Sequence, residues 1–327
     1  MTSSPFSYSP TLTLPTEIVV EIFLHFLPAY PLCPPLGGLG SPTLLAQICR
    51  DWREIALATP RLWRTISVDS NWIIFPREVA RAHIWLQRSH PLPLSLRFGP
   101  PTAFPSPFFA AITPYRQRWA YLDLHLVDRT QLAALRDGPT PLLRCIDLYF
   151  HTRTTAGDPM VLLNDAPLLH TVLLNFNAAM LVLPWAQLTS LTLKRVDAPG
   201  RLSILQSASN LQRLELFLQL EQGTFPNAQG QDILIPRLES LKLHVRTLHL
   251  PLEPTFILPA LRHLAIVESR TNFERIPALA TFIATAGCTQ LDELSITVNK
   301  FQFPLISEDA YRKAFPGVRV SFAKREL

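Results

Sequence analysis

A short pattern returns along most of the chain: apolar, two variable residues, apolar, one variable residue, apolar. It reads Trp119-Leu122-Leu124, Leu143-Ile146-Leu148, Leu169-Val172-Leu174, Leu188-Leu191-Leu193 and Leu211-Leu214-Leu216. It continues as Leu238-Leu241-Leu243, Leu261-Leu264-Ile266 and Leu291-Leu294-Ile296, with Phe315-Val318-Val320 as a closing copy. The middle residues stand at 122, 146, 172, 191, 214, 241, 264, 294 and 318, so successive copies lie 24, 26, 19, 23, 27, 23, 30 and 24 residues apart. Leu92–Phe98 (LPLSLRF) is the candidate first strand, its Leu96 lying 26 residues before Leu122. The alternation inside each copy is that of a strand with one buried face. One copy is too small to bury that face, and stacked neighbours supply the missing cover. Pro167, Pro184, Pro236 and Pro259 stand just before strands, where a missing N–H costs no ladder bond. Ile276–Ala286 (IPALATFIATA) reads as a short helix between strands. The expected fold class is α/β. The alternative reading of the region is an ordinary α/β domain with leucine-rich strands.

A spacing of about 20–29 residues is that of leucine-rich repeats, and the region resembles them. The resemblance implies an irregular solenoid over residues 94–322, with a curved, largely parallel sheet and short helices and loops on the convex side, ending in a tail at 323–327. The asparagine that usually follows each strand of the family occurs only as Asn177 and Asn299. Val127, His151, Val196, Gln219, Arg246 and Ser269 take its place elsewhere, so the asparagine ladder is mostly absent. Residues flanking the buried strand positions point to the opposite face of the sheet. In a solenoid that is the concave, target-binding face. Its candidates are Tyr121, Asp123, His125, Asp147, Tyr149, Lys194, Arg213, Glu215, Phe217, Lys242, His244 and His263, with Glu293 and Ser295 beyond them. The series is somewhat acidic first and more basic later, with a few aromatics.

Ahead of the repeats, residues 14–27 (LPTEIVVEIFLHFL) carry Ile18, Val19, Ile22, Phe23 and Phe26 at one-face helical spacing. Pro15 suits the first turn, Glu17 favours its positive end, and Pro28 ends it. A loop with Pro31, Pro34, Pro35, Gly37, Gly38 and Gly40 follows. Ser41-Pro42 then starts a second helix by capping and N1 preference, its apolar face being Leu44, Leu45, Ile48, Cys49, Trp52 and Ile55. Thr59-Pro60 repeats the signal ahead of Leu62, Trp63 and Ile66.

This run resembles an F-box. Leu14, Pro15 and Glu17 match the family's LPxE opening; Ile48, Cys49, Trp52 and Arg53 match its V/I-C-x-x-W-R core; Pro60, Leu62 and Trp63 match its P-x-L-W ending. The match spans residues 14–68, and the long loop from Pro28 to Pro42 departs from tighter members. The form is similar to proline-rich F-box-like proteins of mushroom-forming fungi. The resemblance implies a three-helix module that binds a Skp1-type adaptor, and through it a cullin, in an SCF-type ubiquitin ligase for ubiquitin-dependent degradation. The implied partner-binding residues are Leu14, Pro15, Glu17, Ile18, Val19, Ile22, Phe23, Ile48, Cys49, Trp52, Leu62 and Trp63. Three short helices cannot close a good core alone, so their surplus apolar surface needs a partner or the rest of the chain. Residues 69–93 form the connector, in which Pro76–Ser89 (PREVARAHIWLQRS) reads as a packed helix with Val79, Ile84, Trp85 and Leu86 on its apolar side. Residues 1–13 are Ser/Pro-rich and are expected to be a disordered tail.

No catalytic or ligand chemistry stands out. The nine histidines and four cysteines (Cys33, Cys49, Cys145, Cys288) are scattered, without HExxH or a metal-spaced Cys/His cluster. Gly37-Gly38-Leu39-Gly40 lacks the Lys-Ser/Thr of a phosphate loop, and there is no GxSxG elbow. His244 and His249 lie near one strand and read as structural rather than ligating. The net charge of +5 is spread out, without a run of nucleic-acid type. Apolar stretches such as Met180–Pro184 are far short of the ~18–20 residues of a spanning helix. Hence the chain is expected to be a non-enzyme without cofactor or metal, monomeric on its own, cytoplasmic and/or nuclear, and without nucleic-acid or membrane partners. A repeat-only scaffold with a helical N-terminal cap is the competing function. The 31 prolines, about twice the ~5% average, read as punctuation of many short elements.

Overall fold

The computed structural model describes residues 14–68, 76–99, 106–126, 131, 135, 138–150, 161–163, 165–176, 181–218, 232–245, 256–268, 275–299 and 308–325. Asn177, Val127, His151, Gln219, Arg246, Ser269, His249 and the tail at 1–13 lie outside them. The fold is α/β, with eleven long strands in parallel array and eight helices among the described residues. Contacts divide it into two units. The first runs to Ile146 and takes in Phe150–Thr152 and Asp165–Leu168; the second holds Asp147–Tyr149, Arg153–Asn164 and Leu169–Leu327.

In the first unit, α1 spans Thr16–Phe26. Pro15 stands just outside it as the cap, its carbonyl accepting from the Ile18 and Val19 amides at 3.0 and 3.2 Å. The helix stops where Leu27 turns extended, the conformation the following Pro28 requires. The second predicted helix is in fact two, α2 (Pro42–Ile48) and α3 (Arg50–Leu57). Ser41 caps α2 as expected, accepting from the Thr43 amide at 3.2 Å. Cys49 is extended and breaks the run, and its sulfur accepts from the Trp52 amide at 3.4 Å to cap α3. The break turns Trp52 onto Phe23, edge to face at 4.8 Å. Arg53 Nε–H donates to the Ala46 carbonyl at 2.8 Å, satisfying a carbonyl the helix end leaves open.

After Thr59-Pro60 comes only a single 3-10 turn, Pro60–Leu62, and Ile66 lies on a strand, β1 (Thr65–Val68). Four consecutive buried residues there fit a covered strand better than a helix. So the sheet begins inside the span read as helical. β1 pairs in parallel with β2 (Leu94–Phe98), Ile66 beside Leu96, and β2 pairs with β3 (Trp119–Leu126), Leu96 beside Leu122. The first strand proposed from Leu92–Phe98 is thus the second. The long loop from Pro28 to Pro42 is pinned to this sheet: Pro35 bridges Ser67, and Ser95 Oγ–H donates to the Pro31 carbonyl at 2.6 Å. The Cys33 thiol meets the Ser95 carbonyl at 3.5 Å, and burial pushes its pKa up to about 11.

The connector is packed. Helix α4 (Pro76–Arg88) buries Ala82, Trp85 and Leu86, with Trp85 edge-on to Trp63 at 5.3 Å. Ile84 instead faces solvent, because Ala82, Trp85 and Leu86 already occupy the covered side. Arg118 clasps the end of this helix, donating to the carbonyls of Leu86 and Leu92 at 3.0 and 2.8 Å and to Ser89 Oγ at 2.7 Å. A cation there also suits the negative helix end. Helix α5 (Ser106–Ile112) and a 3-10 segment (Thr113–Arg118) lead into β3. The strand β4 (Cys145–Phe150) carries residues of both units.

In the second unit each repeat copy supplies one strand, in sequence order. These are β6 (Thr171–Asn175), β8 (Ser190–Leu193), β9 (Arg213–Leu218), β11 (Ser240–Val245), β13 (His263–Glu268), β14 (Glu293–Asn299) and β15 (Arg319–Arg325). The intervening β5 (Val161–Leu162), β7 (Leu181–Val182), β10 (Ile233–Leu234) and β12 (Phe256–Ile257) pair only as β5·β7 and β10·β12. All pairings are parallel and the middle leucines align: Val172 beside Leu191, then Leu214, Leu241, Leu264 and Leu294. Every one of these is buried, as are Leu188, Leu211, Leu238 and Leu261 three residues before their middles. The last copy is slipped by two: Val320 and Phe322, not Val318 and Val320, lie beside Leu294 and Ile296. Phe315 and Val318 belong to the turn ahead of β15, where Val318 N–H donates to the Phe315 carbonyl.

One backbone device repeats at the strand starts. The carbonyl of His170 accepts from both the Thr189 and Ser190 amides, each at 3.0 Å. Thr189, Gln212, Glu239 and Arg262 do the same for the next copy, all at 2.9–3.0 Å. Between strands, among the described residues of this unit, helices appear in three copies: α6 (Ala198–Ser207), α7 (Arg275–Thr285) and α8 (Glu308–Ala314). The other return segments contain the two-residue strands β5, β7, β10 and β12, with a 3-10 turn (Trp185–Gln187) after β7, where short helices and loops were expected. Three of their four apolar triplets are followed by proline, at 184, 236 and 259, which has no N–H to extend the pairing.

Candidate functional site

An apolar ridge stands out in the first unit, and clusters at outward strand positions stand out in both units. On α1, the five apolar residues read as one face divide into two. Val19 and Phe23 point inward and are buried, while Ile18, Ile22 and Phe26 are exposed at 49%, 44% and 41%. Leu14, 39% exposed, continues the exposed row. The positions 14, 18, 22 and 26 form an i, i+4 ridge along one side of the helix. Ile48 at the end of α2 and Leu57 at the end of α3 are exposed too. Glu17 is exposed, Cys49 and Trp52 are half-buried, and Leu62 and Trp63 are fully buried. Trp63 Nε1–H donates to the Ala56 carbonyl at 2.8 Å, a core contact. Of the twelve residues first assigned to a partner, Val19, Phe23, Leu62 and Trp63 therefore serve the fold, and Leu14, Ile18, Ile22 and Ile48 are the accessible apolar ones. An exposed apolar ridge is a normal mark of a protein-binding surface.

Outward strand positions carry polar and aromatic clusters in each unit, separately. In the first unit, Asp123 meets Arg97 Nε at 3.3 Å and His125 Nε2 at 3.9 Å, and Tyr121 lies edge-on to Tyr30 at 5.4 Å. Arg64 stacks over Tyr30 at 3.8 Å, and burial pushes the Tyr30 phenol up to about 12. Arg97, Arg64 and Tyr30 were not among the sequence candidates; Tyr30 arrives from the loop, which no strand periodicity could reveal.

In the second unit the candidates Tyr149, Lys194, Glu215, Phe217, Lys242 and His244 come together. Lys194 Nζ lies 3.3 Å from Tyr149 Oη, 5.1 Å from the centre of that ring and 5.5 Å from the Phe217 ring. Phe217 stacks on His244 at 3.7 Å with the planes 7° apart. His244 Nε2 and Lys242 Nζ both reach Glu215 Oε1, at 2.6 and 3.0 Å. The donation from His244 is the main reason the Glu215 carboxyl is held down to about 2, against the opposing effect of burial. Arg213 and His263 are exposed, and Asp147 is half-buried on β4.

Among the described residues no group of three His, Cys, Asp or Glu is placed to hold a metal, and no helix is long and apolar enough to cross a membrane. Two cavities of about 410 Å³ lie in the first unit. One is lined by Gly37, Gly38, Gln47, Glu78 and Arg81, the other by Tyr30, Glu21, Arg61 and Arg64. No protein-family model matches the chain, and no curated protein matches it either.

Proposed function

We propose that the chain is a non-enzymatic adaptor. In this reading its N-terminal helices act as an F-box and hold a Skp1-type protein, and through it a cullin. Its strands form an irregular leucine-rich repeat solenoid whose open face holds a target for ubiquitylation. The observation that carries the reading is the α1 ridge. Val19 and Phe23 already close the core beneath the helix, while Leu14, Ile18 and Ile22 stay exposed as apolar surface among the described residues. The sequential parallel strands and their aligned leucines support the repeat reading. The test is co-purification of the full chain with a Skp1-type protein. Ile18→Ala with Ile22→Ala is expected to abolish the association while leaving thermal stability within ~0.5 kcal/mol, the usual range for exposed positions. Association that survives this pair sinks the F-box assignment. Trp52 is unsuitable for the test, because its ring packs on Phe23.

A second reading keeps the repeats as a binding scaffold and makes the helices their terminal cap. It is favoured by β1, which joins Ile66 to the sheet directly behind the buried Leu62 and Trp63. Repeat arrays need such ends. A chain that binds no Skp1-type protein, yet unfolds when residues 14–68 are removed, would decide for it.

A further inference from the structure

From β8 to β11 the outward positions hold the cations Lys194, Arg213 and Lys242 and a single carboxylate, Glu215. Glu215 is spent on Lys242 and His244. Neither Lys194 nor Arg213 has an acidic partner among the described residues, so the patch carries surplus positive charge. Asp147 lies on β4 two residues before Tyr149, Glu293 lies on β14, two strands beyond β11, and the outward positions of β6 are uncharged.

Lys194 is also held unusually well. A surface lysine normally loses rotamer freedom when it binds, and that loss opposes binding. Here the Tyr149 ring and the Phe217 ring flank its ammonium, and the Tyr149 hydroxyl meets it at 3.3 Å. Contacts of this kind hold a cation in place without neutralising it. Phe217 is itself fixed by its stack on His244, and His244 by Glu215. The carboxylate thus braces the aromatic wall rather than cancelling the lysine. Tyr149, Lys194, Phe217 and His244 form a row crossing β4, β6, β8, β9 and β11. Four interstrand steps of ~4.8 Å make about 19 Å, the reach of roughly six extended residues.

We propose that this row is the target-recognition patch and that it takes an extended, Asp/Glu-rich segment of a protein, with one carboxylate seated on Lys194 and apolar atoms against the Phe217–His244 wall. The proposal rests on the reading of this strand face as the target-binding one.

The experiment measures fluorescence anisotropy of the full-length chain with fluorescein-labelled hexaglutamate, hexaglutamine and hexalysine peptides, and with an oligothymidine of similar length. Hexaglutamate is expected to bind with a salt-sensitive affinity that the other peptides lack. Lys194→Gln is expected to weaken it about tenfold, the effect of one well-placed charge pair. Lys194→Arg retains it, and Phe217→Leu weakens it several-fold by freeing the lysine. Arg319→Gln, on the same face but beyond the row, leaves it unchanged. Equal binding of hexaglutamine, equal loss in Arg319→Gln, or tighter binding of oligothymidine each overturns the proposal. Skp1-type association is measured on the same preparation. If that association holds while hexaglutamate shows no preference, the acidic target alone is wrong. If it fails while the Lys194-dependent binding holds, the patch stands and the adaptor reading falls.

Discussion

Glu215 should make the second unit acid-sensitive in a way one substitution can isolate. Its carboxyl is held at about 2 in the folded chain against an ordinary 4.5. A carboxylate whose folded pKa is depressed adds stability that is fully present above its unfolded pKa. That stability is lost as pH falls toward the folded value. The window is therefore from about 4.5 down to about 2. The full difference corresponds to roughly 3 kcal/mol at ~1.36 kcal/mol per pKa step. The side chain keeps 29% of its surface exposed, so solvent screening reduces the expected contribution to about 1–2 kcal/mol. Glu215→Gln keeps the shape and cannot titrate. Urea unfolding of both proteins at a series of pH values removes the contribution of every other carboxylate by difference. Wild type should be the more stable above pH ~5 and lose its advantage on acidification, a midpoint difference of about 0.5 M at an m-value near ~3 kcal/mol/M. Parallel curves for the two proteins across the window would refute the reasoning.

Three further outcomes are expected. Phe23→Ala should cost about 3–5 kcal/mol in thermal or urea unfolding, as deletion of a fully buried ring does, whereas Ile22→Ala one position before it should be nearly silent. Arg118→Met removes three hydrogen bonds and takes the Arg118 donor from the Leu92 carbonyl, while Ser89 Oγ–H still donates to the Leu86 carbonyl; about 1–3 kcal/mol should be lost, with faster proteolysis at the end of α4 as the local readout. The thiols of Cys33 and Cys288, both pushed up to about 11 by burial, should resist iodoacetamide in the native chain at pH ~8, where only about one in a thousand would be thiolate. Mass spectrometry after brief labelling, native against urea-unfolded, checks this.

The strand ladder was largely legible in the sequence because leucine spacing and parallel register are the same information. Aligning middle residues from 172 to 294 reproduces the observed pairing. It failed at the last copy, where Phe315 and Val318 mimic the pattern two residues early. The two-residue strands were not legible, since a triplet such as Ile233-Leu234-Ile235 has no period of its own. For α1 the spacing showed the helix but not its orientation: an apolar stripe wide enough for Ile18, Val19, Ile22 and Phe23 does not reveal which half meets the core. The break at Cys49 was hidden for a related reason, because Leu45, Ile48 and Trp52 continue the helical period across it. The outward residues of the second unit were all nameable in advance. What periodicity could not supply was their pairing, such as His244 with Glu215, which depends on register across strands 29 positions apart.

The shared carbonyls at His170, Thr189, Gln212, Glu239 and Arg262 mark equivalent points in chain segments of unequal length. Between them the chain runs 19, 23, 27 and 23 residues, yet each returns to the same two-amide grip. Whatever is added or removed away from the grip is absorbed in the return segment, and the strand that follows keeps its phase. Such a chain is editable by whole copies. Excising residues 190–212 would place Arg213 directly after Thr189, where Ser190 stood, with leucines still beside leucines and one row of outward side chains gone. Duplication of the same stretch would add a row. The number of outward rows on the sheet can thus change by insertion or loss of single copies without a new fold having to be found.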